Sequence, residues 1–335
     1  IKMSTIDKPE RVTQSRVIDL FCHELGYRYL DDWTDRDGNS NIEEGLLTGY
    51  LIRNGYTGEQ INAALYKLRT EADNHSRNLY GNNQAVYNLM RYGVPVKIEA
   101  GEVTETVRLI NWKQPEKNDF ALAEEVTLKG NQERRPDIVL YVNGIAVGVL
   151  ELKRSTVSIG DGIRQLLSNQ QPEFNQWFFS TVQFVFAGNN TDGLKYGTIG
   201  TEEKYFLRWK EDGEDNSRYK LDKYFLKICR KDRLIELMHD FVLFDGGIKK
   251  LPRVHQYFAI KAAQKHACSH ESGIIWHTQG SGKSIIMVLL AKWILENNPA
   301  ARVAIITDRD ELDKQINGVF NDAGEDIYRT RSGRD

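Results

Sequence analysis

The chain has 335 residues, more than a single typical domain holds, so two domains are expected. A formal net charge of −2 excludes a globally basic nucleic-acid binder and leaves any phosphate contact to local clusters of Lys and Arg. Cys22, Cys229 and Cys268 are too scattered for a disulfide framework or a zinc site, and no run approaches the ~20 apolar residues of a membrane span; with no secretory pattern, a cytoplasmic location is expected.

In chain order, residues 12–26 have helical spacing (Val17, Leu20, Phe21, Leu25) and end at a glycine suited to a helix cap. A polar loop follows at 31–41. Thr57 and Gln60 then make a capping-box pair ahead of an apolar face of Ile61, Ala64, Leu65 and Leu68. Short apolar or alternating runs at 94–98, 103–110, 120–128, 138–142 and 145–152, separated by turn residues, predict a mostly antiparallel sheet. A helix at 160–170 and a strand at 182–187 come next. The aromatic and basic stretch 202–233 carries interleaved acids (Glu211, Asp212, Glu214, Asp215) and reads as a solvated face. A helix at 234–244 is broken by Asp245-Gly246-Gly247, and 244–252 is assigned as a linker. Beyond it, a helix at 254–267, a strand at 273–277, a helix from Lys283 and a strand at 303–307 predict an α/β unit.

The first chemistry-bearing group is Arg135-Pro136-Asp137, an apolar run, Asn143-Gly144, a second apolar run, and Glu151-Leu152-Lys153. Asn-Gly between apolar runs predicts a hairpin. A three-residue loop sets Asp137 opposite Glu151; a two-residue turn sets it opposite Leu150 unless a bulge intervenes. Glu151 and Lys153 share a face by the period-two rule. Asp137 and Glu151 would hold Mg²⁺, which polarises a phosphodiester, while Lys153 orients or deprotonates water or neutralises charge on phosphorus. A surface cluster of acids and a lysine is the plain alternative.

The second group is Thr278-Gln279-Gly280-Ser281-Gly282-Lys283-Ser284, set between an apolar run and an amphipathic helix. Its glycines let backbone amides turn towards phosphate oxygens, Lys283 reaches the outer phosphates and Ser284 can ligate Mg²⁺, so ATP is the expected cofactor. The loop resembles that of superfamily-two helicase-like motors, with His277 where the plain motif has glycine. Gln256 resembles their adenine-reading glutamine, and Thr307-Asp308-Arg309-Asp310-Glu311-Leu312 resembles their motif Ia. No DEAD-type acidic box follows, so the sequence is expected to be part of a larger protein and not to hydrolyse ATP as it stands.

The hairpin resembles the PD-(D/E)XK nuclease core through Pro136-Asp137 and Glu151-Leu152-Lys153. Gln165 matches the glutamine of that family's Q-x-x-x-Y motif, although Asn169 replaces the tyrosine. Together with Val149-Leu150-Glu151-Leu152-Lys153-Arg154, Asn41-Ile42-Glu43-Glu44 and Ile275-Trp276-His277 ahead of the phosphate loop, the chain resembles the restriction (R, or HsdR) subunit of type I restriction–modification enzymes. The resemblance implies an α/β fold: a restriction-endonuclease-like domain over 1–243 (core about 80–190; mixed sheet flanked by helices), a linker at 244–252, and a partial RecA-like P-loop domain over 253–335. It further implies cleavage of unmodified double-stranded DNA with Mg²⁺, ATP-driven translocation, and partner modification and specificity subunits. Glu43 or Glu44 is a candidate accessory acid. The alternative function is a translocase whose inactive nuclease fold serves as a DNA clamp or docking module.

Overall fold

Contacts in the computed structural model divide the chain into two units, Ile1–His239 and Asp240–Asp335. The structure describes residues 10–97, 103–130, 132–211, 217–306, 313–314, 316–318 and 320. The candidate motif at 307–312 lies outside them.

The first unit begins with α1 (Glu10–His23), which buries Val17, Leu20 and Phe21 and is followed by the left-handed Gly26. Then come β1 (Arg28–Asp32), α2 (Glu44–Arg53), α3 (Gly58–Ala72) and α4 (Leu79–Tyr92). The expected capping box opens α3: Thr57 Oγ1 accepts from Gln60 N, and Gln60 Oε1 accepts from Thr57 N. A small antiparallel pair, β2 (Val94–Val96) and β3 (Glu105–Val107), precedes the strands β4 (Phe120–Glu124), β5 (Ile138–Val142) and β6 (Ile145–Leu152). Helix α5 (Ile159–Asn169), strands β7 (Phe184–Asn189), β8 (Gly193–Gly197) and β9 (Leu207–Arg208), and helices α6 (Lys220–Ile228) and α7 (Lys231–Asp240) complete the unit.

Seven strands form one mixed sheet in the order β1-β4-β5-β6-β7-β8-β9. The β1/β4 and β6/β7 pairs are parallel and the other four antiparallel. Every residue of β5 and β6 is buried, as a sheet covered on both faces demands. On one face Ile163 and Leu166 of α5 join a core with Val139, Tyr141, Val149 and Val185. Phe186 alternates to the other face, where its ring meets Phe225 of α6 at 6.1 Å and Phe225 meets Phe21 of α1 at 5.3 Å.

The second unit contains β10 (Leu243–Asp245), β11 (Ile248–Lys250), α8 (Val254–Cys268) and α9 (Lys283–Asn297). Residues 244–252, expected as a linker, carry an antiparallel hairpin turned at the left-handed Gly246 and Gly247. The helix expected at 234–244 accordingly stops at Asp240, as α7. The strands expected at 273–277 and 303–307 are not formed among the described residues: 271–278 and 301–306 join no ladder, and Trp276 and Ile306 are 90% and 94% solvent-exposed. An apolar run becomes a strand only when a neighbour takes its N–H and C=O groups. No helix among the described residues is long and apolar enough to cross a membrane.

Candidate active site

The β5–β6 hairpin determines which side chains meet. Asn143 (φ 52°) and Gly144 (φ 85°) form a two-residue turn with both φ values positive, closing Val142 directly onto Ile145. A Cβ on Gly144 would lie 2.7 Å from Glu43 O and 2.8 Å from Leu47 N, so the turn needs glycine for space as well as for φ. The register then slips by one: Tyr141 faces Ala146, but Leu140 faces Gly148, leaving Val147 as a bulge. With Ile138 opposite Leu150, Asp137 comes opposite Glu151. The two-residue turn with a bulge, one of the two alternatives open in the sequence, produces the juxtaposition.

Asp137 and Glu151 differ in surroundings. Asp137 Oδ2 accepts a hydrogen bond from Leu152 N at 2.6 Å. Burial pushes the Asp137 carboxyl up to about 7, against the opposing pull of that N–H and of Lys153. Glu151 is 0% exposed, and neither carboxyl oxygen has a hydrogen-bond partner among the described residues. Its burial, with Asp137 beside it, raises it well above the usual carboxyl range. Lys153 Nζ stands 3.6 Å from Glu151 Oε2 and donates to Glu10 Oε1 at 3.2 Å. Burial alone would lower the Lys153 ammonium, but the surrounding carboxyls outweigh it and raise it.

Orphaned oxygens on a fully buried carboxyl are costly without a cation. The donors are all hard oxygens, from Asp137 just before β5 and from Glu151 of β6, a set that fits Mg²⁺. Helix α5 covers this end of β6 closely: a Cβ on Gly162 would lie 3.5 Å from Lys153 Cγ and 3.7 Å from Glu151 Cβ. Gln165, on the same helix, is half-buried, and its side chain makes no hydrogen bond among the described residues.

Glu43 and Glu44 are not part of this group. They lie beside the Asn143-Gly144 turn, where Glu43 N donates to Gly144 O at 2.7 Å, at the opposite end of the hairpin. Glu43 is gripped by both terminal nitrogens of Arg36, and Glu44 pairs with Arg69. The acid that does reach the site is Glu10 of α1. One turn on, Gln14 Nε2 donates to Glu124 Oε2, Glu125 Oε1 and Asp137 O at 3.1, 3.0 and 3.3 Å. The one signal for either residue in sequence is their i, i+4 spacing on one helix face.

In the second unit, residues 278–282 turn through left-handed Gly280 and Gly282, and Lys283 and Ser284 open α9. Gln256, Thr278, Gln279, Gly280, Ser281, Gly282, Lys283 and Ser284 are thereby gathered beside one another. Lys283 Nζ donates to His277 O and Thr278 O at 3.1 and 2.9 Å. Gln256 Nε2 donates to Ser281 O at 3.0 Å, and its Oε1 accepts from Arg253 N at 2.8 Å. The amide expected to read adenine is therefore held against the loop. A cleft of about 400 Å³ is lined by Arg253, His255 and residues 276–281.

Comparison with known proteins gives two family matches. The family described as "Type I restriction enzyme R protein N terminus" matches residues 7–204, and that described as "SWI2/SNF2 ATPase" matches residues 255–335. A Methanocaldococcus jannaschii protein named for the MjaIXP endonuclease subunit of a type I restriction enzyme is 28% identical over 361 residues, covering 92% of this chain and 34% of its own. The type I restriction enzyme HindI endonuclease subunit of Haemophilus influenzae is 29% identical over 350 residues, covering 90% and 32%. The SsaAORF53P endonuclease subunit of Staphylococcus saprophyticus is 24% identical over 210 residues, covering 61% and 22%. The chain spans about a third of the length of the first two of these curated relatives.

Proposed function

Since the chain belongs to the family of type I restriction enzyme R protein N termini, we propose that it carries the endonuclease of a type I restriction system, cutting unmodified double-stranded DNA with Mg²⁺. The observation that carries this reading is the Glu151 carboxyl, wholly buried with neither oxygen hydrogen-bonded among the described residues, facing Asp137 beneath the Lys153 ammonium.

In this reading Asp137 and Glu151 hold Mg²⁺. The ion would polarise the scissile phosphate and offset charge on the attacking and leaving oxygens. The Leu152 N–H fixes one oxygen of Asp137 and thereby aims the carboxyl. Lys153, beside Glu151 and hydrogen-bonded to Glu10, orients the attacking water or donates to a phosphate oxygen and offsets charge building on phosphorus. Gln165, on the helix whose Gly162 meets this strand end, would orient Glu151 or a phosphate.

The second unit supplies the nucleotide site of a RecA-like motor. Residues 278–282 and the α9 N-terminus would hold the phosphates of ATP, with Lys283 offsetting their charge and the Ser284 hydroxyl available to Mg²⁺. Gln256 reads adenine once released from Ser281. The match of 255–335 to an ATPase family supports this assignment. Sequence recognition and methylation fall to separate specificity and modification subunits, and ATP-driven translocation to the full-length protein.

The test is linear-product formation from unmodified plasmid by full-length Glu151→Ala assembled with its partner subunits, ATP and Mg²⁺, beside wild type. The variant is expected to lose cleavage and keep ATP turnover. Cleavage at the wild-type rate would make the Asp137–Glu151–Lys153 group structural.

A further inference from the structure

We propose that Glu10, at the start of α1, is a positioning residue for DNA cleavage that holds the Lys153 ammonium over the Asp137–Glu151 pair; this rests on the hairpin being the nuclease centre. A lysine side chain has four rotatable bonds, and β6 ends at Leu152, so the strand alone does not fix where the ammonium lies. Its two acidic contacts are unequal. Glu10 Oε1 accepts a hydrogen bond at 3.2 Å, whereas Glu151 Oε2 is 3.6 Å away, an ion pair beyond hydrogen-bond length. The direction of the ammonium is therefore set from α1.

Helix α1 is itself tied to the site. Gln14, one turn after Glu10, donates to Glu124, Glu125 and the backbone carbonyl of Asp137. Thr13 Oγ1 accepts from Asn190 Nδ2 at 3.1 Å, just beyond β7. Arg16 pairs with Asp222 of α6. A helix pinned at 13, 14 and 16 presents residue 10 at a fixed place, and a carboxylate at its first turn is favoured by the helix dipole. Glu10 keeps 37% of its side-chain surface exposed, against 14% for Lys153 and none for Glu151. It can hold an ammonium at the mouth of the site without the burial penalty that Glu151 carries.

Without Glu10 the ammonium is free to collapse onto Glu151 or swing to solvent, and either displacement takes it from the phosphate. Misplacement on the ångström scale lowers rates by roughly ten- to a hundredfold. The full-length protein, assembled with its partner subunits, ATP and Mg²⁺, is compared as wild type, Glu10→Gln, Glu10→Asp, Glu151→Ala, Lys153→Ala and the Glu10→Gln/Lys153→Ala double variant. The readouts are the single-turnover cleavage rate, ATP turnover, and acylation of Lys153 in metal-free protein, followed by mass spectrometry.

Glu10→Gln is expected to slow cleavage about tenfold or more, leave ATP turnover intact and increase Lys153 acylation several-fold, with Glu10→Asp between it and wild type. The double variant should cut no more slowly than Lys153→Ala, because Glu10 acts through that ammonium. Wild-type cleavage by Glu10→Gln, unchanged acylation of Lys153, or a further loss in the double variant each overturns the proposal. Should Lys153→Ala and Glu151→Ala both cut normally, it is the nuclease assignment that has failed; if they are inactive while Glu10→Gln is normal, the failure is confined to Glu10.

Discussion

Asp137 and Glu151 place function and stability in opposition. Burial raises both carboxyls, Asp137 to about 7, so the metal-free fold binds protons more tightly than the unfolded chain does. This contribution to stability is fully present below the ordinary carboxyl range near 3.8 and is lost as pH rises through about 7. In EDTA at pH 8, Asp137→Asn should therefore be more stable than wild type, by on the order of 2–4 kcal/mol, although it removes cleavage. The asparagine Oδ1 still accepts from Leu152 N. Chemical denaturation of both proteins at pH 5 and pH 8 measures the difference, which should shrink at pH 5. A variant less stable than wild type at pH 8 would mean that Asp137 is not a buried acid awaiting a cation. Mg²⁺ added at pH 8 should stabilise wild type and leave Asp137→Asn nearly unchanged, as expected when a ligand binds the native state alone.

The hairpin is the element on which the site depends, and its geometry rests on a turn remote from the chemistry. Gly144→Ala must accept φ near 85° and a Cβ about 2.7 Å from Glu43 O. A loss of roughly 2–4 kcal/mol is expected, seen as a lower unfolding midpoint, together with weaker cleavage as the register loosens. Unchanged stability would show that the turn relaxes without cost. This hairpin was legible because Asn-Gly and two apolar runs are local signals, as is the Thr57–Gln60 capping box. Elements specified by distant partners were not. In α4 the periodicity is broken by Asn83, which is buried because its amide donates to Phe179 O and Val182 O. Strand β1, rich in charge and mostly exposed, is an edge strand held by its parallel pairing to β4. Strand β8 is bounded by glycines and forms through tertiary pairing against its own propensity. Glu10 was invisible as a site residue for a related reason: its partner is 143 positions away. The acids at 43 and 44, plausible in sequence, are instead bound to Arg36 and Arg69 at the other end of the hairpin.

At the scale of the whole molecule, the two candidate centres lie in different compact units, with Glu151 in Ile1–His239 and Lys283 in Asp240–Asp335. Their mutational consequences should therefore be unequal in direction. On the proposed function, cleavage would need the motor, whereas nothing in the geometry of the Glu151 carboxyl ties ATP turnover to it. Lys283 donates to two carbonyls of its own loop, His277 O and Thr278 O, bonds that the proposed nucleotide binding would exchange for phosphate oxygens. Alanine at 283 removes the cation that drives the exchange. In the full-length assembled protein, Lys283→Ala is expected to lower ATP turnover at least about a hundredfold and to abolish cleavage with it, a loss of the size that follows when a charge on a transferring phosphoryl group goes uncompensated. Glu151→Ala should abolish cleavage alone. ATP turnover and linear-product formation measured side by side on the two variants decide the matter. Efficient cutting by Lys283→Ala would separate the nuclease from any ATP-driven step, and loss of ATP turnover in Glu151→Ala would show that the motor senses the state of the β5–β6 hairpin.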